Sequence, residues 1–520
     1  MGRLPIKPRT HIINLTASKY QYSPSRIVVN KGDTVIIKPT SIDVTHGFFL
    51  DGHDLEFTIK QEGKAHLKYT WKDDDGQTQV DWDWVTEVEF VADKPGKYIF
   101  RCFQTCGNLH PFMTGELIVK PNGPYGYAVS LSIWIVLSLL TWFWLAGESE
   151  QPPKKPFRIN LLKSVPLLER IVKSRIFHFA VILPNLIIFY LFILSAFWGS
   201  PVGNRNIAII FIWILWWFLL KAVFVPLGAR LWCMICPLPA PAEWLSRRSI
   251  TGVRFLERTF KRLHHKYLGL QRDWPKKLQN MWLQNIIFML MISFGIILIT
   301  RPIATAILFL IILGATFILA MVFRLRVFCL YLCPVGGFLG NYSMASTTEI
   351  RAVDLDVCKK HKDKSCLVGS PQGWGCPWNQ YMGTMSRNNY CGFCMECVKS
   401  CPKGNIGIFL RPFGEDRKVK GYDEMYNIFI MLVVAIAFSI TMLGPWGFIK
   451  DAANVTEVGD IPAFLIYIAV LWITTLLIVP GIFIKLCQLG KRLSGTTADK
   501  KEVVLNASYT LIPVGIFSWI

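Results

Sequence analysis

Runs of about twenty apolar residues, recurring along the chain, limit its fold more than any other feature. Such a run is the length of helix that crosses a hydrocarbon core about 30 Å thick. The runs lie near residues 125–146, 177–198, 206–226, 282–300, 303–323, 426–448 and 462–484. Hydrophobic residues make up 52% of the 520 positions and are concentrated in these runs, which predicts an integral membrane protein of several domains.

The net charge of +21 invites a nucleic-acid reading, but its distribution opposes it. Lys154, Lys155, Arg158, Lys163, Arg170, Lys173 and Arg175 crowd the first loop between spans. A second basic stretch, "RRSITGVRFLERTFKRLHHK", lies within 237–280, while alternate loops carry little beyond Arg205, Arg301 and Lys450. Basic loops mark the cytoplasmic face, so residues 1–124 are expected outside and the protein in a bacterial or archaeal cytoplasmic membrane. No apolar stretch resembling a signal peptide precedes Tyr125, so the first span is expected to export what comes before it. The final "YTLIPVGIFSWI" begins an apolar run too short to span, which predicts a truncated C-terminus; the N-terminus is expected to be truncated as well.

Residues 15–121 read as short strands ("RIVVN", "DTVIIKP", "HGFFL", "AHLKYTW", "VTEVEFVAD", "KYIFRCF", "GELIVKP") punctuated by Gly and Pro, the pattern of a small sandwich or barrel. "WKDDDGQTQVDWDW" reads as an inserted hairpin or loop. Within this domain "CFQTCGNLHPFM" gathers Cys102, Cys106, His110 and Met113, and His46 stands far upstream. Thiolate, imidazole and thioether are a copper ligand set. One Cys with His and Met makes a mononuclear site; a second Cys lets two thiolates bridge a metal pair. The bland alternative is an extracytoplasmic Cys102–Cys106 disulfide.

The stretch "VTHGFFL…VEFVADKPGKYIFRCFQTCGNLHPFMTGELIV" resembles the copper-binding domain of cytochrome c oxidase subunit II and of nitrous oxide reductase. The resemblance implies a cupredoxin fold with a dinuclear CuA centre. It makes His46 and Met113 terminal ligands, places His110 on the other copper, and makes Cys102 and Cys106 the bridges. The Gln104 carbonyl becomes a weak ligand; the family usually has Glu there, a change a main-chain oxygen tolerates. An ordinary subunit II has its membrane hairpin before the copper domain, whereas here a far larger membrane part follows.

After the fifth span, "CGFCMECVKSCPKGNIG" supplies Cys391, Cys394, Cys397 and Cys401, the C-x2-C-x2-C-x3-C-P run of bacterial ferredoxins. Cys358, Cys366 and Cys376 precede it as a stretched second half-motif. In a two-cluster arrangement Cys376 completes the first cluster and Cys401 joins Cys358 and Cys366. The second then lacks a ligand, which a trinuclear cluster, a non-Cys ligand or a thiol from elsewhere would resolve. Cys233 and Cys236 in "RLWCMICPLPAP", and Cys329 and Cys333 in "RVFCLYLCPVGGFLG", sit where the third and fifth spans end. They are candidates for a further cluster, a missing ligand or a dithiol pair; unliganded cysteines at helix ends are the bland reading, and Cys487 stands alone. Paired Cys-Pro motifs followed by a ferredoxin module resemble the membrane polyferredoxins, including the quinol-oxidising subunit of periplasmic nitrate reductase, the nitrous oxide reductase electron donor and a cbb3 oxidase assembly protein. That resemblance spans roughly 160–420; "CMIC" departs from the family's usual C-x3-C, and the copper domain replaces the donor's flavin domain.

The expected architecture is therefore an all-β cupredoxin sandwich (1–124), a helical membrane domain (125–344), a cytoplasmic ferredoxin-like 4Fe-4S module (345–424) and C-terminal membrane helices (425–520). The favoured function is electron transfer between cytoplasmic-side clusters, a quinone and the outer copper centre. The alternatives are a CuA-bearing subunit of a terminal oxidase or reductase complex served by cytochrome c, and a copper-handling assembly factor. If enzymatic, the chain is a quinol- or cytochrome c-linked respiratory oxidoreductase or its subunit. No hydrolase, ATPase or pyridine-nucleotide motif stands out, and His178 alone cannot supply paired haem ligands. His53 is expected to face solvent. Trp82 and Trp84, with Asp73, Asp74, Asp75, Asp81 and Asp83, are candidates for an aromatic, acidic docking face toward a basic partner.

Overall fold

The computed structural model describes residues 8–53, 55–61, 63–72, 78–121, 123–146, 157–253, 255–259, 262–265, 267–416, 418–442 and 447–518. The chain divides into two compact units: residues 1–154 with 438–464, and residues 155–437 with 465–520.

Among the described residues the first unit has eleven strands. They are β1 (Thr10–Ser18), β2 (Gln21–Ser23), β3 (Arg26–Asn30), β4 (Thr34–Ser41), β5 (His46–Leu50), β6 (Leu55–Ile59), β7 (Ala65–Lys72), β8 (Thr78–Val85), β9 (Val88–Val91), β10 (Gly96–Arg101) and β11 (Thr114–Lys120). One sheet has the order β2-β1-β4-β9 and the other β3-β11-β10-β5-β6-β7-β8. Alternate residues of β4 and β11 are buried, as expected where each sheet has one face on a shared core. At its centre Phe48 stacks on Phe57 at 4.6 Å and on Phe100 at 5.0 Å between ring centroids, and Tyr22 meets Phe100 edge-on at 5.3 Å.

Three strands escaped the sequence reading. β1 pairs in parallel with β4 and begins ahead of residue 15, where the strand reading started, and β2 and β6 are a three-residue and a five-residue strand beside tight turns. The expected insertion is a hairpin, with β7 and β8 paired antiparallel from Ala65 with Val85 to Lys72 with Thr78. Asp73, Asp74 and Asp75 lie outside the described residues. The helix Gly123–Ala146 follows, and its residues 126–138 are solvent- or lipid-facing throughout.

Five helices among the described residues are long and apolar enough to cross a membrane: Arg175–Trp198, Ile207–Gly228, Pro302–Val322, Tyr422–Thr441 and Ile461–Ser494. The run expected to span as 282–300 is instead two helices, Trp282–Ser293 and Gly295–Thr300, because the ladder stops at Phe294. The run expected at 426–448 is helical over Tyr422–Met442, residues 443–446 lie outside the described residues, and Gly447–Ala453 is helical. In the second unit, strands Ile159–Asn160, Ile406–Leu410 and Thr348–Ala352 form a small antiparallel sheet in which Ile350 opposes Ile408. The cysteine loops pack beside it.

Candidate metal centres

In the first unit, His46 opens β5, while Cys102, Cys106, His110 and Met113 lie on the loop and turn joining β10 to β11. Main-chain bonds close this loop: Cys102 N–H donates to Met113 O at 3.0 Å, and Met113 N–H to His110 O at 3.1 Å. Ligand atoms of His46, Cys102 and Cys106 all lie within 4.8 Å of one another. Cys106 Sγ is 4.0 Å from Cys102 Sγ, 3.7 Å from His110 Nδ1 and 3.8 Å from Met113 Sδ. Cys102 Sγ lies 3.1 Å from the Gln104 carbonyl oxygen. All six expected residues thus converge, and both cysteines are free thiols.

The electrostatics of this cluster favour a cation. Cys102 is pushed down to about 3, chiefly by the hydrogen bond from Cys106, and burial is outweighed. Cys106 keeps its proton because Cys102 already carries the charge. Burial works to lower the pKa of His46, yet neighbouring Cys102 and the hydrogen-bonded Asp43 raise it above the usual imidazole value. His46 Nδ1 is buried without a hydrogen-bond partner, an orphan that a metal ion satisfies. Two imidazoles, two thiols and a thioether therefore fit copper, and its soft-ligand preference matches them.

Two supporting residues were not singled out in the sequence. Asp43 takes the outer nitrogen of His46, and Tyr22 donates its hydroxyl to the Gly47 carbonyl behind the site. The Asp–Val–Thr–His spacing that puts Asp43 three residues before His46 is a usable signal for the first; Tyr22 left none. Gly47 is required by close approach: a Cβ there would lie 2.6 Å from the Phe103 ring and 2.8 Å from Gln104 N. His53 does not face open solvent. Its ring packs edge-on against Tyr98 at 4.6 Å, and both its nitrogens are buried. Trp82 and Trp84 are exposed by 37% and 47% and flank His66, with Lys60 4.4 Å above the Trp84 ring. Asp83 is exposed beside them; the Asp81 side chain lies outside the described residues.

In the second unit the cysteines form three neighbourhoods that adjoin one another, Cys397 lying within electrostatic reach of Cys366 and Cys391 within reach of Cys233. Cys376, Cys391, Cys394 and Cys397 lie within electrostatic reach of one another. So do Cys358, Cys366 and Cys401. Cys233, Cys236, Cys329 and Cys333 form the third group. None of these cysteines is in a disulfide. Burial lifts the thiols of the four-membered groups above their usual range, most of all Cys329, Cys376 and Cys397. Buried thiols in close groups, with Arg326 and Arg230 beside them, suit a polynuclear cluster whose bound thiolates carry net negative charge. Amide donors already point at sulfur: Gln380 N to Cys376 Sγ at 3.3 Å, Gly336 N to Cys333 Sγ at 3.3 Å, and Asn405 Nδ2 to Cys358 Sγ at 3.4 Å.

Cys329 sits on a one-turn π-helix, Phe328–Leu332, a distortion that re-aims side chains and often marks functional positions. A cavity of about 690 Å³ touches both Cys329 and Cys376 and is bordered by Glu243, Arg247, Arg326 and Trp374. His178 Nδ1 lies 3.2 Å from Lys399 Nζ, itself paired with Glu396, so this histidine belongs to a buried polar network. Cys487 is half-buried outside the three groups.

No family model matches the chain. Its N-terminal region is similar to cytochrome c oxidase subunit 2 of Thermus thermophilus, 27% identical over 113 residues, 22% of this chain and 68% of the relative. It is similar to quinol oxidase subunit 2 of Sulfolobus acidocaldarius, 29% identical over 109 residues, covering 21% of this chain and 53% of the relative. Nitrous-oxide reductase of Ralstonia nicotianae is 28% identical over 112 residues, covering 21% of this chain but only 14% of that protein. The N-terminal β-sandwich thus resembles the copper domain of oxidase subunit II, and these relatives match 21–22% of the chain.

Proposed function

We propose that this chain is a membrane electron-transfer protein, carrying a dinuclear copper centre on an extracytoplasmic domain and iron–sulfur clusters at its cytoplasmic side. The observation that carries the reading is the coexistence, in one polypeptide, of the His46–Cys102–Cys106–His110–Met113 cluster and three groups of free thiols that are buried or partly buried. Bound there, copper and iron–sulfur clusters would supply one-electron redox chemistry.

The residues hold these groups in different ways. His46, His110, Cys102, Cys106, Met113 and the Gln104 carbonyl would hold the copper pair. Cys376, Cys391, Cys394 and Cys397 would hold one cubane, and Cys358, Cys366 and Cys401 would hold a second cluster with three protein thiols. The group formed by Cys233, Cys236, Cys329 and Cys333 is complete enough for a third cluster, despite the shortened C-x2-C spacing. The two ends of such a conduit stand on opposite faces of about 30 Å of hydrocarbon. A quinone in the bilayer is the link that chemistry favours, and the cavity beside Cys329 and Cys376 is where an electron donor reaches two thiol groups at once.

Similarity to oxidase subunit 2 favours a second reading, a subunit of a terminal oxidase complex that takes electrons from a cytochrome c-like partner. Purified, metal-loaded protein separates the two. A quinol analogue reduces the copper in the isolated chain under the first reading. If cytochrome c reduces it and quinol does not, the second replaces the first. Metal analysis with EPR tests both at the root, since copper without a mixed-valence pair, or an absence of iron, removes the proposed centres.

A further inference from the structure

The ligand turn of the copper site is gripped by a segment from the far end of the chain. Helices Gly447–Ala453 and Val455–Val458 belong to the same compact unit as the β-sandwich. Lys450, fully buried, donates its ammonium to the carbonyl of Phe112 and, at 3.4 Å, to that of Tyr20. Phe112 is the residue before Met113. Glu457 accepts from the Tyr20 hydroxyl and from the Asn108 side-chain amide. The Tyr20 hydroxyl in turn accepts from Asn108 N–H at 3.0 Å, and Gln21 Nε2 donates to Asp451 at 3.2 Å. The grip therefore covers both ends of the loop from Cys106 to Met113 on which His110 rides.

Two features make this more than incidental packing. Gly107, with φ of +146°, leaves no room for a side chain, because a Cβ would fall 2.2 Å from the Tyr20 hydroxyl. The backbone of the ligand loop is thus pressed directly onto the residue that Glu457 holds. And Lys450 is a cation in a water-poor place, one peptide unit from Met113, where charges act far more strongly than in water. A buried positive charge there stabilises the more reduced state of a metal centre.

We propose that Lys450 and Glu457 are positioning residues for the copper centre, holding the His110–Met113 turn and setting the potential of the bound metal from the segment between the helices Tyr422–Met442 and Ile461–Ile473. This rests on the copper reading above. It makes the ligand turn answerable to residues 447–458, more than 300 positions away in the sequence.

The test uses the full-length, copper-loaded protein in detergent, with copper per chain, iron per chain, EPR and redox titration as readouts. Lys450→Met is expected to keep its iron, to alter the copper hyperfine pattern and to lower the midpoint potential, with Lys450→Arg restoring both. Glu457→Gln, which preserves shape, is expected to change the spectrum while retaining copper, and it carries the test should Lys450→Met fail to fold. Wild-type spectrum and potential in both Lys450→Met and Glu457→Gln overturn the proposal. A wild-type protein without a coupled copper pair overturns the functional reading itself, and this inference with it.

Discussion

Nε2 of His46 lies 2.7 Å from Oδ1 of Asp43, while the other ring nitrogen is buried with nothing to bond. Asp43 accepts, so Nε2 carries the proton and Nδ1 keeps its lone pair free for a metal. A carboxylate behind a metal-binding imidazole fixes tautomer and orientation, and its loss typically costs about 10–100-fold in metal affinity. Asp43→Asn is expected to weaken copper binding by roughly that factor at neutral pH, measured by competition with a copper chelator. Unchanged affinity would remove Asp43 from the site's design.

The same pair sets a pH dependence. Burial alone would lower the pKa of His46, but Cys102 and Asp43 raise it. Below that raised value the imidazolium competes with metal, so copper affinity falls with acidification, beginning at a higher pH than an ordinary histidine would give. In Asp43→Asn one of the groups that favours the charged ring is gone, so the onset moves to lower pH. Affinity titrations across pH for both proteins check the direction, and a shift upward would contradict it.

The three thiol groups make separable predictions about iron. Cys397→Ser is expected to remove one cluster's iron while copper remains, because Cys397 sits among Cys376, Cys391 and Cys394. Cys358→Ser is expected to remove a different cluster, since its thiol neighbour is Cys401. Cys487→Ser should change neither. Iron per chain and cluster EPR read the outcome; identical losses for Cys397→Ser and Cys358→Ser would merge the two groups into one site.

Much of this was legible in the sequence because the chemistry is written locally. Cys102, Cys106, His110 and Met113 fall within twelve residues, so their convergence follows from a single loop. Cys391, Cys394 and Cys397 are equally close. Cys376 was assigned with them across a gap, and the structure brings it there. What the sequence hid depends on distant pairing. Lys450 stood out only as a lone cation in a loop otherwise poor in charge, and nothing local ties it to Phe112, 338 residues away. His53 was misplaced because strand alternation was extended into a turn, where Tyr98 closes over the ring. The broken helix at Phe294 was hidden because composition registers apolarity, not the continuity of a hydrogen-bond ladder.

The sheet beside the cysteine loops depends on a buried charge network, and this permits a stability prediction. The fully buried Arg411 pairs with Glu349 at 3.1 Å and Asp416 at 2.8 Å, and donates to the Ser346 and Ser343 carbonyls at 3.1 Å each. Leaving a buried charge with no partner costs about 3–5 kcal/mol, and the cost here is smaller because Arg351 still pairs with Glu349 and Asp416, and Arg158 with Glu349. Arg411→Met is therefore expected to lower the unfolding temperature of the protein in detergent clearly. Burial already raises the pKa of Glu349 despite Arg351, Arg411 and Arg158 nearby, and the variant raises it further. A carboxyl with a raised folded pKa favours the folded state below its unfolded value and opposes it as pH rises through the folded one. The deficit of Arg411→Met should accordingly be smaller in mildly acidic buffer, where Glu349 takes up a proton, than at neutral pH. A deficit independent of pH would mean that lost packing, not the lost ion pair, dominates.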